Sequence, residues 1–203
     1  MNLTTTANSK KPMKIVFATN NLNKIKEVQS LLPSNITIVS LASIGCNEEI
    51  PETKNTIREN AIQKADYINK RYGYDCFADD TGLNVNALNG SPGVRSARYA
   101  GPEKCSESNM KLLLSELKLI SDRSAQFKTV IALNINGKSL TFEGICKGEI
   151  THNKKGTGGF GYDPIFKPND DKKTFAELSL DRKNKIGHRG KAVTKLVNYL
   201  NFL

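Results

Sequence analysis

The chain lacks the features that mark several large protein classes. Across 203 residues there are only four cysteines and two histidines. Cys46, Cys76, Cys105 and Cys146 stand singly, with no CxxC pair, which excludes a zinc ribbon, a dithiol redox motif and a disulfide scaffold. No apolar run approaches the roughly 18 residues that suggest a membrane span. The opening stretch MNLTTTANSKKP is polar, without the apolar core of a signal peptide. The GxxxxGK[ST] phosphate loop is absent, which counts against a P-loop kinase. There is no internal repeat and no low-complexity linker. These absences lead us to expect a cytoplasmic protein with reduced thiols and no membrane partner. They also predict a flexible polar tail over 1–12 and a single α/β domain over 13–203.

What the chain does have is positive charge. Thirty Lys and Arg oppose twenty Asp and Glu, and a net charge of +10 attracts any polyanion, whether RNA, DNA or a nucleotide. Between Lys167 and Lys195, nine basic residues face four acids, so half of that excess lies near the C-terminus. The acids cluster as well, at Glu48, Glu49 and Glu52 and at Asp79-Asp80. Carboxylates for a metal and cations for phosphate oxygens suit a metal-bound polyphosphate. A solvated lysine-rich face has the same composition.

Periodicity orders the chain as an α/β unit. Lys14–Ala18 and Ile36–Val39 read as strands, with a helix over Asn21–Leu32 between them. A long helix over Asn55–Tyr72 carries Ile57, Ala61, Ala65 and Ile68 on one side. Cys76–Ala78 reads as the buried end of a strand leading into Asp79-Asp80. Met110, Leu113, Leu114 and Leu117 mark a third helix. Gln126–Ile135 and Ser139–Ile150 form a hairpin around Asn136-Gly137, a type I′ signal. Val193, Leu196, Val197 and Leu200 define a last helix from about Gly190 to Phe202.

Four segments have residues suited to chemistry. Thr19-Asn20-Asn21-Leu22-Asn23-Lys24 sits between a strand and a helix, where free backbone N–H groups and a lysine suit a phosphate; an ordinary N-cap explains the same residues. Asp79-Asp80-Thr81-Gly82, read at a strand end, suits a divalent cation and a proton acceptor, with Glu52 as a third carboxylate. A strand-capping Asp-Asp turn is the alternative. In Gly156–Pro164, Phe160 between two glycines is placed to stack on a base, or sits in a flexible hairpin loop. Lys183–Gly190 holds His188 beside Arg189, donors for base oxygens or phosphates, or a His-Arg pair that merely decorates the surface.

In order and spacing, ATNNLNK, PET…ENA, FADDTGLNVNALNGSPGVRSARYAG, GTGGFGYDPIF and FAELSLDRKNKIGHRGKA resemble the inosine triphosphatase (Ham1-like) family of purine nucleoside triphosphate pyrophosphatases. The resemblance runs from about Lys14 to the C-terminus. It implies a mixed-sheet, two-lobed α/β fold with a central active-site cleft, and a homodimer. It implies Mg²⁺-assisted hydrolysis of ITP, dITP and XTP to the monophosphate and pyrophosphate, with no nucleic-acid partner. Carried over residue by residue, Thr19 to Lys24 would cradle the triphosphate, with Asn21 and Lys24 as chief polar contacts. Glu52 and Asp80 would hold metal. Asp80 would act as general base with Asp79 assisting, and Lys24 would neutralise the leaving group. Thr81 takes the place of a nucleotide-contacting serine. Phe160 would stack on the purine beside Gly161, Tyr162 and Asp163, while Lys183, His188 and Arg189 would reach the base. Gly187 stands where the family usually has serine and Arg95 where it has tyrosine. The rival reading from another class is a basic nucleic-acid-binding module with structural carboxylates.

Overall fold

Ile15, Val16 and Phe17, all buried, make Met13–Phe17 the strand β1 that starts the sheet. The computed structural model describes residues 12–203, so the expected tail over 1–12 lies, apart from Pro12, outside the described residues. The chain continues through α1 (Leu22–Gln29), β2 (Ile36–Val39), α2 (Ile57–Tyr72), β3 (Cys76–Val85), β4 (Pro92–Gly93) and α3 (Ser106–Glu116). It closes with β5 (Ser124–Ile135), β6 (Lys138–Ile150), β7 (Phe166–Pro168), α4 (Leu180–Ile186) and α5 (His188–Leu200). The strands form one mixed sheet in the order β2-β1-β3-β5-β6-β7, with β4 on β3. β1 is parallel to β2 and β3; the pairs from β3 to β7 are antiparallel. Asn136 (φ 50°) and Gly137 (φ 72°) both take the positive φ that a type I′ turn demands, as their sequence predicts.

Three cores hold the layers together. Val28 of α1 and Val193 and Leu196 of α5 pack with Phe17, Phe77 and Leu133 on one face of the sheet. Ala61, Ala65 and Ile68 of α2 pack with Cys76, Ala78 and Val130 on the other. The third core joins Leu113 and Leu117 to Phe127, Phe166 and Phe175 beyond the far ends of the long strands. The first two cores define one lobe and the third defines the second. No helix among the described residues is long and apolar enough to cross a membrane.

The structure corrects three sequence expectations. Asp79-Asp80 is not at a strand end: β3 runs on to Val85, because β5 pairs with it along the whole of Cys76–Val85. Leu180–Ile186, for which the sequence reading named no element, is a short helix capped by Ser179, whose side chain accepts from Arg182 N. The last helix begins at His188 rather than Gly190, bringing His188 and Arg189 into its first turn.

Arg123, 8% exposed, staples the second lobe. Its guanidinium donates to the carbonyls of Ile150 (2.6 Å), Leu117 (2.8 Å) and Thr151 (2.9 Å), tying the end of α3 to both strand ends. Arg123→Ala leaves these carbonyls without that donor, and urea unfolding should show a loss of about 3 kcal/mol. A loss below about 1 kcal/mol would mean that water replaces the guanidinium there.

Candidate active site

The site forms where β1 stops. β1 meets β3 only at Val16–Cys76 and Phe17–Phe77, after which the chain turns away into α1. Further along that open edge, the carbonyl of Asp79 accepts from Lys64 Nζ at 2.7 Å and Lys24 Nζ at 3.4 Å. The turn itself is built by Asn21, whose side chain accepts from the backbone N–H of Asn23 (3.0 Å) and Lys24 (3.2 Å) as the N-cap of α1. Thr19, Asn20, Asn21 and Lys24 line a cleft of about 700 Å³ between the lobes. Leu22 and Asn23 stand outside that lining, and Leu22 is 78% exposed.

Because side chains alternate along a strand, the neighbouring carboxylates of Asp79 and Asp80 point to opposite faces of β3. Among the described residues no cation is ion-paired with both. Asp79 lies on the α1/α5 face, with Lys24 Nζ at 2.9 Å and Arg189 Nε at 3.2 Å. Burial opposes its charge, but Lys24, Arg189 and Lys64 outweigh burial and hold its pKa far below the usual carboxylate range. Asp80 lies on the α2 face beside Lys64 (3.9 Å) and lines the cleft. Its Oδ1 accepts from Thr81 N at 2.9 Å, while its Oδ2 is buried without a partner. Burial, aided by Glu52 and Asp79, raises its pKa despite Lys64 and Lys24. One carboxylate is therefore a clamped anion, and the other keeps an oxygen without a partner.

From Lys24 an alternating chain of buried charges runs from the first lobe to the second. Asp79 binds Arg189, and Arg189 binds Glu27 at 2.5 Å. Glu27 binds Lys183 at 2.6 Å, and Lys183 binds Asp163 at 2.5 Å. Asp163 then accepts from the backbone N–H of Phe160 at 2.8 Å. Each charge in the chain thus has a partner of opposite sign on one side or both. Burial pushes the Lys24 pKa down, and the nearby cations Lys64 and Arg189 add to this, so a further anion beside it would be stabilising.

At the other end, Phe160 is half-buried, with Lys183 Nζ 5.0 Å and Arg189 Cζ 5.5 Å from its ring centroid. Phe160, Gly161, Tyr162, Asp163, Lys183, His188 and Arg189 all face the cleft. Gly159 has φ 69°, and a Cβ there would strike the Asp163 carboxylate, so glycine is what lets the loop close on Asp163. Tyr162 is buried and donates to the Ser96 carbonyl at 2.9 Å, joining this loop to the segment after β4. Arg189 directs all three nitrogens inward, to Asp79, Glu27 and the Thr81 hydroxyl, so its first task is to order the site. Thr81 also shares a hydrogen bond of 2.6 Å with Thr129. Gly187 takes the N-cap position of α5 without a side-chain cap, and a Cβ there would lie 2.5 Å from the Lys183 carbonyl. The α4–α5 junction is thus tightened around the missing side chain. Arg95 is exposed and stands outside the cleft lining.

His188, 4% exposed, stacks on Phe127 at 4.5 Å and leaves Nδ1 unpartnered. Burial, with Arg189 and Lys183 nearby, keeps its pKa well below 6.5, so the folded protein holds it neutral. In the unfolded chain it protonates at the ordinary value, and the unfolded state binds the extra proton. Stability should therefore fall as pH drops below about 6.5, by at most about 1.4 kcal/mol per pH unit from this residue. Urea unfolding from about pH 7.5 to 5.5 checks this: His188→Gln should flatten the slope, and an unchanged slope would assign it to other groups.

Two site residues escaped the sequence reading. Lys64 is buried between Glu52, which it hydrogen-bonds, and Asp80; these acids, with Asp79, overcome burial and raise its pKa. Its signal was present in the sequence: Ile57, Ala61, Lys64, Ala65 and Ile68 share one helical stripe, where a lysine is out of place. Glu27, 6% exposed, had no comparable signal, because α1 is short and mostly polar.

Glu52 and Asp80 fit a hard divalent cation. Both are carboxylates facing the cleft, and the free buried Oδ2 of Asp80 is the kind of oxygen such an ion satisfies. No group of three or more His, Cys, Asp or Glu is placed to hold a metal among the described residues, so water and ligand oxygens would complete the shell.

A mixed sheet with helices on both faces, a second lobe on its strand ends and a charged cleft between them defines a two-lobed α/β class. The chain belongs to the Ham1 family, whose sequence pattern matches residues 15–199. It is 64% identical to a Flavobacterium johnsoniae protein named dITP/XTP pyrophosphatase, over 93% of this chain and 98% of that one. A Porphyromonas gingivalis protein of the same name is 47% identical, over 92% and 97%. The solved structure of a HAM1 protein from Coxiella burnetii superposes with a TM-score of 0.87 and 40% identity, covering 94% of this chain and all of that one. The Staphylococcus aureus Ham1 protein gives a TM-score of 0.85 at 39% identity, over 93% and 98%.

Proposed function

We propose that the chain hydrolyses non-canonical purine nucleoside triphosphates, with ITP, dITP and XTP as substrates, to the monophosphate and pyrophosphate. The observation that carries this reading is the buried, unpartnered Oδ2 of Asp80, on a residue that lines a cleft whose walls also present Lys24, Lys64 and the Phe160 loop. Glu52 and Asp80 would hold Mg²⁺, which when bound neutralises charge on the polyphosphate. Thr19, Asn20 and Asn21 meet phosphate oxygens at the start of α1. Lys24 and Lys64, fixed on the Asp79 carbonyl, offset charge gathering on the departing pyrophosphate. Asp80 accepts the proton of a water as its oxygen bonds to the α-phosphorus, and the bond from that phosphorus to the bridging oxygen breaks. Phe160 offers a stacking surface for the purine, with donors of Lys183 and His188 beside it. Donors facing a 6-oxo group would be left unpaired against the amino group of adenine, which disfavours ATP.

Homodimeric assembly and a cytoplasmic place of action belong to the same proposal, and light scattering on the purified protein tests the first. The decisive assay incubates the protein and Mg²⁺ with ITP, XTP, dITP, ATP or GTP and identifies the products. Monophosphate plus pyrophosphate from ITP is the expected result. Orthophosphate plus diphosphate would overturn it, as would polynucleotide binding without turnover.

A further inference from the structure

Six cationic side chains line the cleft: Lys24, Lys64, Arg98, Lys104, Lys183 and Arg189. Five are paired with carboxylates: Lys24 with Asp79, Lys64 with Glu52, Lys104 with Glu49, and Lys183 and Arg189 with Glu27. Among the described lining residues, the guanidinium of Arg98 alone has neither an ion pair nor a hydrogen bond.

A cation without a partner on a loose loop would simply be solvated. Arg98 instead ends a short helical turn, Ser96–Arg98, anchored on both sides. The Ser96 hydroxyl accepts from Leu83 N at 2.8 Å and donates to the Gly93 carbonyl at 2.6 Å. Tyr162 donates to the Ser96 carbonyl at 2.9 Å. The Asn109 side chain donates to the Ala97 carbonyl at 3.0 Å and accepts from Ala100 N at 2.7 Å. Ser96, Asn109 and Tyr162 are all buried, so the backbone either side of Arg98 is held by three packed side chains. The fold thus presents, on a rigid platform, a charged fork that nothing among the described residues neutralises.

We propose that Arg98 is the binding group that the second lobe supplies to the pyrophosphate portion of the substrate. This rests on the triphosphate reading above and deepens it. The first lobe meets the phosphates with lysines already tied to carboxylates, whereas Arg98 has its full donor set available. The β- and γ-phosphates carry most of the negative charge of the triphosphate, and a planar guanidinium matches two phosphate oxygens at once. A substrate gripped from both lobes also brings the walls of the cleft together around the reacting phosphorus, while a monophosphate lacks the group that Arg98 binds.

The test compares the full chain with Arg98→Gln and Arg98→Lys in Mg²⁺ buffer. It reads inhibition of ITP hydrolysis by pyrophosphate and by IMP, pyrophosphate binding by calorimetry, and thermal unfolding. Arg98→Gln should weaken pyrophosphate binding about tenfold to a hundredfold and raise KM for ITP. IMP inhibition should stay within about twofold, the unfolding temperature should not move, and Arg98→Lys should recover part of the loss. Unchanged pyrophosphate binding would overturn the proposal, as would equal weakening of IMP and pyrophosphate. If the wild-type chain hydrolyses none of the triphosphates, the activity reading fails separately, and calorimetry with pyrophosphate still decides the role of Arg98.

Discussion

Asp80→Asn is expected to lower kcat for ITP by about 10²- to 10⁴-fold, the contribution typical of a positioned general base. At saturating Mg²⁺ KM should change little, because the amide keeps the shape of the side chain and one oxygen for the ion, and the phosphate-binding segment at α1 is untouched. The prediction follows from the difference between two neighbouring acids. Asp79 is clamped by Lys24 and Arg189 and stays ionised, so it has no capacity to accept a proton near neutral pH. Asp80 has a free oxygen, a raised pKa and a place in the cleft wall. Asp79→Asn should behave differently, with a loss of stability and a rise in KM as Lys24 and Arg189 lose their anion. Steady-state kinetics with circular dichroism on both variants separates the roles. If Asp80→Asn kept kcat within tenfold of the wild type, the base would have to be another group.

The largest stability effect is expected at Glu27. Its carboxylate joins Lys183 and Arg189, and all three residues are buried. The two cations outweigh burial and lower its pKa. Glu27→Ala removes the central anion of the charge chain and leaves Arg189 and Lys183 facing each other with one carboxylate partner apiece. Loss of one member of a buried charge network costs about 3–5 kcal/mol. Urea unfolding should show a loss of that order, and Glu27→Gln, which retains hydrogen bonding but not charge, should fall between. A loss below about 1 kcal/mol would mean that water reaches the cations. The chain links Lys24 at one end to Phe160 at the other, so Glu27→Ala should also disturb both ends of the cleft.

Much of the fold was legible because its signals are local. The alternating strands of the β5–β6 hairpin, its Asn-Gly turn and the apolar stripes of α2 and α5 depend only on side-chain period and turn chemistry. The errors came where a distant partner decides. Nothing in Cys76–Val85 says that the strand continues past two aspartates; its pairing with Ala125–Asn134 does. The last helix was placed two residues late because α4 and α5 meet at the single residue Gly187, which caps both.

The site divides in the same way. Thr19, Asn20, Asn21, Lys24, Asp80 and the Phe160 loop, which line the cleft, could be named from the chain, since a helix start, a carboxylate pair and an aromatic between glycines carry their chemistry in sequence; Leu22 and Asn23, named with them, lie outside that lining. Their charge states and partners could not. Asp79 and Asp80 are identical in composition and adjacent in sequence, and only the pleat of β3 sends one toward Lys24 and Arg189 and the other toward Lys64. Glu27 looks like any surface acid until α5 brings Arg189 beside it, and Arg98 like any surface cation until the other cleft cations are seen to be paired. The sequence by itself determined the layers, the turns and the chemical vocabulary of the cleft, because these follow from local pattern. The tertiary structure alone decided which charges cancel and which remain available, because burial and the sign of the nearest neighbour are set by residues far apart in the chain.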